Sequence, residues 1–288
     1  MPWDVVDVPA AAPVRAAPAQ WREAPVEALI ADLAQQIEQA WQTRQPIAPL
    51  HESHGLEDAD VAYRIQQAWV AGRLARGDTI VGRKVGLTSR AMQEQLGVNE
   101  PDYGTLLESL ALPAPGGVAT VSVSRFIQPR VEGEIAFLLK ESLSGPGVTV
   151  VDVFRATEAV AAAIEIIDSR IRDWRIRLVD TVADNASCGA FTLGPWCTRW
   201  RELDLALAGM TLYVNGRLAS LGTGAAALGH PALCVAWLAN KLGSLGQRLE
   251  AGDVVLPGSL GPAVPVAAGT LARVEIGGLA PVAVCFTD

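Results

Sequence analysis

Short apolar runs punctuated by glycine and proline make up the chain from residue 79 onward. Examples are TIVGRKVGL, ATVSV, VEGEIAFLL, DVVLPG and LARVEIGG. Runs of this length predict many short strands, which constrain the chain to a sheet-rich core. Two predicted helices interrupt the strands, one from 149 to about 161 after a capping-box-like start and one over 231–244.

The front of the chain has a different texture. Residues 26–43 and 57–76 carry apolar side chains at helical spacing, which predicts two amphipathic helices. Residues 1–25 hold five prolines among alanines and predict an irregular tail, or an arm that lies on a neighbouring molecule. We therefore predict an α+β fold with a tail at 1–25, a helix-rich N-terminal part at 26–115 and a β-rich core at 116–288.

The charge balance narrows the function classes. The 288 residues include 23 basic and 31 acidic ones, and the basic residues form no cluster, which argues against nucleic-acid binding. No apolar run reaches the roughly 18–20 residues that span a bilayer, and the N-terminus lacks a secretion signal, so we expect a cytoplasmic protein. The four cysteines are scattered without a CxxC pair, which predicts reduced thiols and disfavours a zinc site.

The segment PRVEGEIAFLL, residues 129–139, reads as a strand that places Glu132 and Glu134 on one face. Burying an unpaired carboxylate is costly, so a buried carboxylate normally takes up a proton or acquires a cation, and something must compensate this pair. Glu165 lies among isoleucines in the later run AAAIEIID, and a strand–helix–strand connection can bring it beside the pair. Three converging carboxylates predict a hard-cation site that suits Mg²⁺ or Mn²⁺. The alternative is that both are edge strands whose glutamates face water.

Three further segments carry polar residues in unexpected surroundings. Lys84, in IVGRKVGLTS, is either desolvated, with a pKa lowered toward acid–base use, or extends from a strand end into water. Asp102, in PDYG, is either part of a functional site or the cap of a turn. Residues 180–187, DTVADNAS, are dense in side chains that bond backbone and predict a structured loop or part of a site.

Histidine and serine chemistry is weakly indicated. His54 and Glu57 form either an acid–base dyad at a helix start or part of a solvated loop. His230 precedes a proline at a helix start and is interpreted as structural. The sequence has no G-x-S-x-G nucleophile motif.

Six segments together resemble one family. They are VGRKVGLTSRAMQEQLGV, PDYGTL, QPRVEGEIAFLL, IEIIDSRIRDW, DTVADNASCG and LGHPALCVAWLANKLGSLG. In wording and order they resemble the 2-keto-4-pentenoate (2-hydroxypenta-2,4-dienoate) hydratases of the fumarylacetoacetate hydrolase superfamily. The resemblance runs from about residue 28 to the C-terminus and implies a mixed β-roll core, Mg²⁺ or Mn²⁺ as cofactor, and a homo-oligomer such as a pentamer or decamer.

The resemblance also assigns chemistry to particular residues. By match to the family's E-x-E…E pattern, Glu132, Glu134 and Glu165 would bind the metal. Lys84, in the G-x-K-x-G-L-T match, would be the acid–base residue, and Asp102 nearby would share the proton transfers.

Substrate contacts follow from the same matches. Ser187, in the DNAS match, and Asp102 would line the substrate. Gly258 and Ser259 would also contact it, although Pro257 stands where relatives often have threonine. Arg130 lies on the strand face of the glutamates, and we expect it to help hold a substrate carboxylate.

The resemblance implies a hydratase that converts 2-hydroxypenta-2,4-dienoate to 4-hydroxy-2-oxopentanoate in aromatic meta-cleavage catabolism. The sister 4-oxalocrotonate decarboxylase is an alternative, although the wording of DTVADNASCG and VGRKVGLT favours the hydratase. A carbon–carbon hydrolase or oxaloacetate-type decarboxylase of the wider superfamily is another, for which His54 and Glu57 would matter. A non-catalytic partner within a complex of pathway enzymes is a third, and the intact Lys84 and glutamates argue against it.

Overall fold

The structure, a computed structural model, describes residues 23–288. Residues 1–22, most of the predicted tail, lie outside the described residues. Within this range the helices are α1 (Glu23–Thr43), α2 (Leu50–Ser53), α3 (Ala59–Ala75), α4 (Arg90–Leu96), α5 (Val150–Ala156), α6 (Leu178–Ala183) and α7 (Pro231–Ser244). The strands are β1 (Ile80–Gly86), β2 (Asp102–Leu107), β3 (Val118–Ser122), β4 (Arg130–Leu139), β5 (Thr157–Ile167), β6 (Cys188–Leu193), β7 (Gly209–Val214), β8 (Arg217–Thr223), β9 (Val254–Leu256), β10 (Val264–Pro265), β11 (Leu271–Ile276) and β12 (Val282–Thr287).

The strands form two sheets. The first has the order β2-β1-β9-β4-β5-β6, with β10 also paired to β4. The second has the order β3-β12-β11-β7-β8. The sheets meet at the middle of β4, where a side chain added at Gly133 would come within 3.1 Å of Met210 and Val274. One face of β4 therefore packs on the second sheet, which leaves the face with Glu132 and Glu134 for the site.

The long helices confirm the helical spacing in the sequence. In α1 the buried positions include Ile30, Leu33, Ile37 and Trp41, which recur every three to four residues. Helices α1 and α3 match the predictions over 26–43 and 57–76 within three residues, and α7 matches its predicted bounds. His230 is the N-cap of α7, where its Nδ1 accepts a hydrogen bond from the Ala232 N–H at 3.0 Å.

The helix predicted to run to about 161 ends five residues earlier. Helix α5 begins with a capping box between Thr149 and Asp152 and ends at Ala156, after which the chain continues directly as β5. The alanine-rich stretch of β5 is compatible with a helix by propensity. Pairing with β4 along most of its length, together with nearly complete burial, makes it a strand instead.

The boundary at 115/116 stays a prediction. Strands β1 and β2, which precede it, lie in the same sheet as β4 and β5, which follow it.

No helix of the described residues is both long and apolar enough to cross a membrane. The cysteines, all within the described range, are free thiols, as predicted.

Candidate active site

Three glutamates meet on one face of the first sheet. Glu132 on β4 lies directly opposite Glu165 on β5, and Glu134 follows two residues along β4 on the same side. Each offers a carboxylate oxygen, and these oxygens all lie within 4.8 Å of one another. Glu134 and Glu165 are fully buried and Glu132 is half-buried. The alternative of glutamates on edge strands in water is therefore wrong, since β4 and β5 are interior strands.

The carboxylates are poorly compensated within the protein. Glu134 accepts one hydrogen bond at Oε2, from the Gly258 N–H at 2.8 Å. Among residues 23–288, no hydrogen-bond partner is present for Glu134 Oε1 or Glu165 Oε2, and Glu165 Oε1 forms an ion pair with Lys84 Nζ at 3.2 Å. Buried anionic oxygens without donors are costly, and an all-oxygen donor set of this kind suits a hard divalent cation. The residues present therefore fit such an ion.

Burial and mutual repulsion raise the pKa values of Glu132 and Glu134 and favour their protonated forms in the metal-free protein. Burial, together with the charge of Glu165, raises the pKa of Glu132 from 4.5 to about 7. Burial also raises the pKa of Glu134 well above its ordinary value, and Glu165 and Glu132 add to the effect. An ion at this place has to displace protons, so its binding is linked to pH.

Lys84 reaches the cluster from the neighbouring strand β1. Its Nζ lies 3.2 Å from Glu165 Oε1 and donates a hydrogen bond to the Ala186 carbonyl at 2.8 Å. The side chain is buried, which excludes the reading of a lysine extending into water. The predicted lowering of its pKa is wrong for the metal-free protein. Burial lowers this pKa, but the attraction of Glu165 and Asp102 outweighs burial and raises it.

Asp102 is buried at the start of β2, directly opposite Gly86 of β1. A side chain at Gly86 would come within 2.2 Å of Asp102 Oδ1, so only glycine leaves room for this carboxylate. Asp102 Oδ2 accepts a long hydrogen bond of 3.5 Å from the Thr181 hydroxyl, and Oδ1 has no partner in the described part of the chain. Burial raises the pKa of Asp102, and Lys84 opposes that shift.

The predicted substrate-contact residues differ in the groups that they contact. The Ser187 hydroxyl is 3.3 Å from that of Thr181, which connects it to Asp102. Gly258 contacts Glu134 through its backbone N–H, whereas the Ser259 hydroxyl donates to the Gly261 carbonyl at 2.5 Å within its own turn.

Arg130 is half-buried on the glutamate face of β4. Its guanidinium lies over the Trp174 ring at 4.7 Å, and its charge offsets part of the rise in the pKa of Glu132. The side-chain hydrogen bond of His54 is local, because its Nδ1 lies 2.9 Å from the hydroxyl of the adjacent Ser53. His51 is the histidine beside a carboxylate, with Nδ1 2.6 Å from Asp180 Oδ2.

Sequence reasoning missed three contributors: Thr181, the Ala186 carbonyl and Gly86. The first two belong to the segment DTVADNAS, whose density of hydrogen-bonding residues was the available signal. A backbone carbonyl carries no residue-type signature, so its direction toward Lys84 is visible only in three dimensions. Gly86 is one of many glycines, and only its opposition to Asp102 makes it informative.

Comparison with known proteins agrees with the geometry. The model of the fumarylacetoacetate (FAA) hydrolase C-terminal family matches residues 81–287. A 2-hydroxyhexa-2,4-dienoate hydratase of Comamonas testosteroni is 45% identical over 88% of this chain and 96% of its own length. A 2-hydroxypent-2,4-dienoate hydratase of Pseudomonas putida is 48% identical over 76% of this chain and 97% of its own.

Solved structures give the same result. A 4-oxalocrotonate decarboxylase from Pseudomonas putida, complexed with magnesium and adipate, is 36% identical with a TM-score of 0.86, covering 90% of this chain and 98% of its own. A fumarylpyruvate hydrolase from Pseudomonas aeruginosa, in complex with Mn²⁺ and pyruvate, is 16% identical with a TM-score of 0.58 over 71% of this chain and 88% of its own, a similarity of fold. The α+β prediction is thus confirmed, and the chain belongs to the fumarylacetoacetate hydrolase family.

Proposed function

We propose that this protein is a metal-dependent hydratase that adds water to 2-hydroxypenta-2,4-dienoate and forms 4-hydroxy-2-oxopentanoate. The observation that carries the proposal is the cluster of buried glutamates with unpartnered oxygens (within residues 23–288) beside a buried lysine. Relatives at 45–48% identity over most of their length are named as hydratases of such dienoates, which supports the proposed reaction. A role in aromatic meta-cleavage catabolism is part of the proposal.

Glu132, Glu134 and Glu165 would hold the cofactor, Mg²⁺ or Mn²⁺. Both ions accept carboxylate oxygens, and the two solved relatives described above contain one or the other. When bound, the ion supplies Lewis-acid stabilisation of the negative charge that develops on a 2-oxo acid.

Lys84 and Asp102 are the proposed acid–base residues. The reaction moves a proton from the 2-hydroxyl group to carbon 5 and then adds water across carbons 3 and 4. Lys84 Nζ, held between Glu165 and the Ala186 carbonyl, is a fixed proton donor. Asp102 Oδ1, without a hydrogen-bond partner in the described chain, is available to accept a proton from water. A cation bound to the glutamates would offset their charge. This would weaken the attraction that raises the Lys84 pKa and would ease proton transfer from Lys84.

Substrate contacts are proposed for Ser187, Gly258, Ser259 and Arg130. Ser187 supports this role by its place beside Thr181, and Gly258 by its contact with Glu134. Arg130 offers a guanidinium on the glutamate face, suited to a carboxylate. A homo-oligomer, such as a pentamer or decamer, an association with other pathway enzymes and a cytoplasmic location complete the proposal.

The direct test is an absorbance assay. Purified protein is mixed with Mg²⁺ or Mn²⁺ and 2-hydroxypenta-2,4-dienoate, and the loss of absorbance of the conjugated dienoate is followed. We expect loss of absorbance that needs the ion and yields 4-hydroxy-2-oxopentanoate. A panel of dienoates substituted at carbon 5 then defines the preferred substrate. No hydration with either ion would contradict the proposal.

The second candidate function is decarboxylation of 4-oxalocrotonate, favoured by the TM-score of 0.86 to such an enzyme. Release of carbon dioxide from 4-oxalocrotonate without hydration of the dienoate would reverse the choice. The variant His54→Ala distinguishes the hydratase from the hydrolase alternative of the wider superfamily. Loss of turnover in this variant would favour the hydrolase. Turnover that appears only after addition of a partner enzyme would favour the non-catalytic role.

A further inference from the structure

The loop between α6 and β6 contains three consecutive residues in the left-handed region. Asn185, Ala186 and Ser187 have φ values of 54°, 50° and 53°. None is glycine, and residues with a Cβ atom adopt this region at a cost in free energy. Such a run persists only where the surrounding structure holds it, so the contacts of this turn carry information about the site.

This left-handed turn directs two groups toward the site. The Ala186 carbonyl accepts the hydrogen bond from Lys84 Nζ at 2.8 Å. The Ser187 hydroxyl lies 3.3 Å from that of Thr181, which in turn contacts Asp102. The position of the proposed proton donor therefore depends on the conformation of the turn.

The Asn185 side chain ties the turn to strand β2. Its Oδ1 accepts from the Thr105 N–H at 2.7 Å, and its Nδ2 donates to the Thr105 carbonyl at 2.9 Å. The two chains approach closely because residue 104 is glycine, where an added Cβ atom would lie 2.6 Å from the Asn185 carbonyl oxygen. Asn185 thus joins the turn to the strand that carries Asp102.

Arg170 holds both ends of the turn. Its guanidinium donates to the carbonyl of Asp184 at 2.6 Å, before the turn, and to that of Cys188 at 3.1 Å, after it. The side chain is fully buried, forms an ion pair with the Asp184 carboxylate and stacks on Trp41 at 4.7 Å. Arg170 restrains the ends of the turn, whereas Asn185 restrains its first residue.

We infer that Asn185 is a positioning residue for Lys84. Its amide holds the left-handed turn so that the Ala186 carbonyl fixes the Lys84 ammonium group beside Glu165. The inference rests on the proposed function in that Lys84 transfers protons. The metal ligands lie on β4 and β5, which Asn185 does not contact in the described hydrogen bonds, so its loss acts on turnover and leaves metal binding in place.

The test compares Asn185→Gly with Asn240→Ala. Glycine keeps the left-handed backbone accessible and removes only the amide. Asn240, in α7, is a matched control, because its amide makes the same two kinds of hydrogen bond with the backbone of Val148, both 2.9 Å long. We expect Asn185→Gly to lower kcat by about 10²-fold, the effect of a small misplacement of a reacting group. KM and the Mn²⁺ dissociation constant should stay within about threefold.

Asn240→Ala should lower the Tm while kcat stays within about twofold of the wild-type value. The inference would be overturned if Asn185→Gly kept the wild-type kcat. It would also be overturned if Asn240→Ala lost as much kcat as Asn185→Gly at an equal loss of Tm. In either case, hydration by the wild-type protein would still support the proposed function. A crystal structure of Asn185→Gly decides the case independently of any reaction. We expect the contact between Lys84 Nζ and the Ala186 carbonyl to be lost, and a contact retained at 2.8 Å would overturn the inference.

Discussion

Glu132 and Glu165 are directly opposite partners on the antiparallel strands β4 and β5. Like charges in this arrangement destabilise a sheet, and Glu134 adds a third carboxylate beside them. Lys84 supplies one positive charge at 3.2 Å from Glu165, which is fewer than the carboxylates it faces. The sheet therefore carries a charge arrangement that a divalent ion compensates and that folding alone does not require.

Replacing Glu134 by glutamine should separate ion binding from folding. Glu134→Gln keeps the size of the side chain and an oxygen for the Gly258 N–H, but removes an anionic ligand. We expect metal affinity to fall by more than the roughly 10–100-fold typical of outer-shell changes, with activity lost in parallel. The metal-free variant should be no less stable than metal-free wild type, since glutamine is neutral without having to take up a proton and can still accept the hydrogen bond from the Gly258 N–H. Calorimetric titration with Mn²⁺ and thermal unfolding with a chelator measure both effects, and a stable variant with wild-type metal affinity would contradict the assignment.

The glutamate cluster should make stability depend on pH in opposite directions with and without metal. The pKa of Glu132 is about 7 in the metal-free fold against 4.5 ordinarily, so the folded protein holds this proton more tightly than the unfolded chain. The stability from this group is fully present below about 4.5 and is lost as the pH rises through about 7. Metal binding needs the deprotonated form, so affinity should rise over the same window with release of protons.

The matched comparison for this pH dependence is Glu132→Gln. Without metal, the difference in free energy of unfolding between wild type and this variant should favour wild type at low pH. That difference should shrink as the pH rises through about 7. Thermal unfolding of both proteins with a chelator, and calorimetric titration in buffers of different ionisation enthalpy, provide the measurements. An advantage that grows with pH would show that the carboxyl is already ionised in the metal-free fold.

Lys84→Met should retain the ion and lose turnover. The apolar side chain fills similar space but cannot transfer protons, so we expect kcat to fall by about 10²–10⁴-fold. Lys241→Met is the control, because Lys241 pairs with Glu100 at 3.1 Å on the surface. The dienoate absorbance assay measures kcat, and calorimetric titration with Mn²⁺ measures metal affinity. Unchanged turnover in Lys84→Met would remove Lys84 from the mechanism.

Gly86→Ala should displace Asp102 without altering the glutamates. The added Cβ atom would meet Asp102 Oδ1 at 2.2 Å, and the short buried aspartate has to move. We expect kcat to fall by at least about tenfold at nearly unchanged metal affinity. Gly72→Ala in α3, where the nearest atom is Arg76 Nη1 at 3.7 Å, should instead stabilise the protein by about 0.5–1 kcal/mol with normal turnover. Equal kinetics in both variants would show that the place of Asp102 is unimportant.

Several features of the fold and site follow from the sequence because they depend on local geometry. The strand period of two places Glu132 and Glu134 on the same face whatever the rest of the chain does. The helical period predicts α1, α3 and α7 because each presents one apolar stripe to the core. Glu165 within an apolar run indicates an unusual buried carboxylate, since no other residue from Ala161 to Ile167 is charged.

Tertiary structure decided the rest, because it depends on contacts between distant segments. The register that sets Glu165 opposite Glu132 is fixed by pairing between strands separated by a helix, and the same pairing ends α5 at Ala156. The direction of the Lys84 pKa shift depends on how many carboxylates surround its ammonium group, and those come from other strands. The sequence by itself determined which side chains share a face; only packing decided which faces meet, since desolvation and charge act through space and not along the chain.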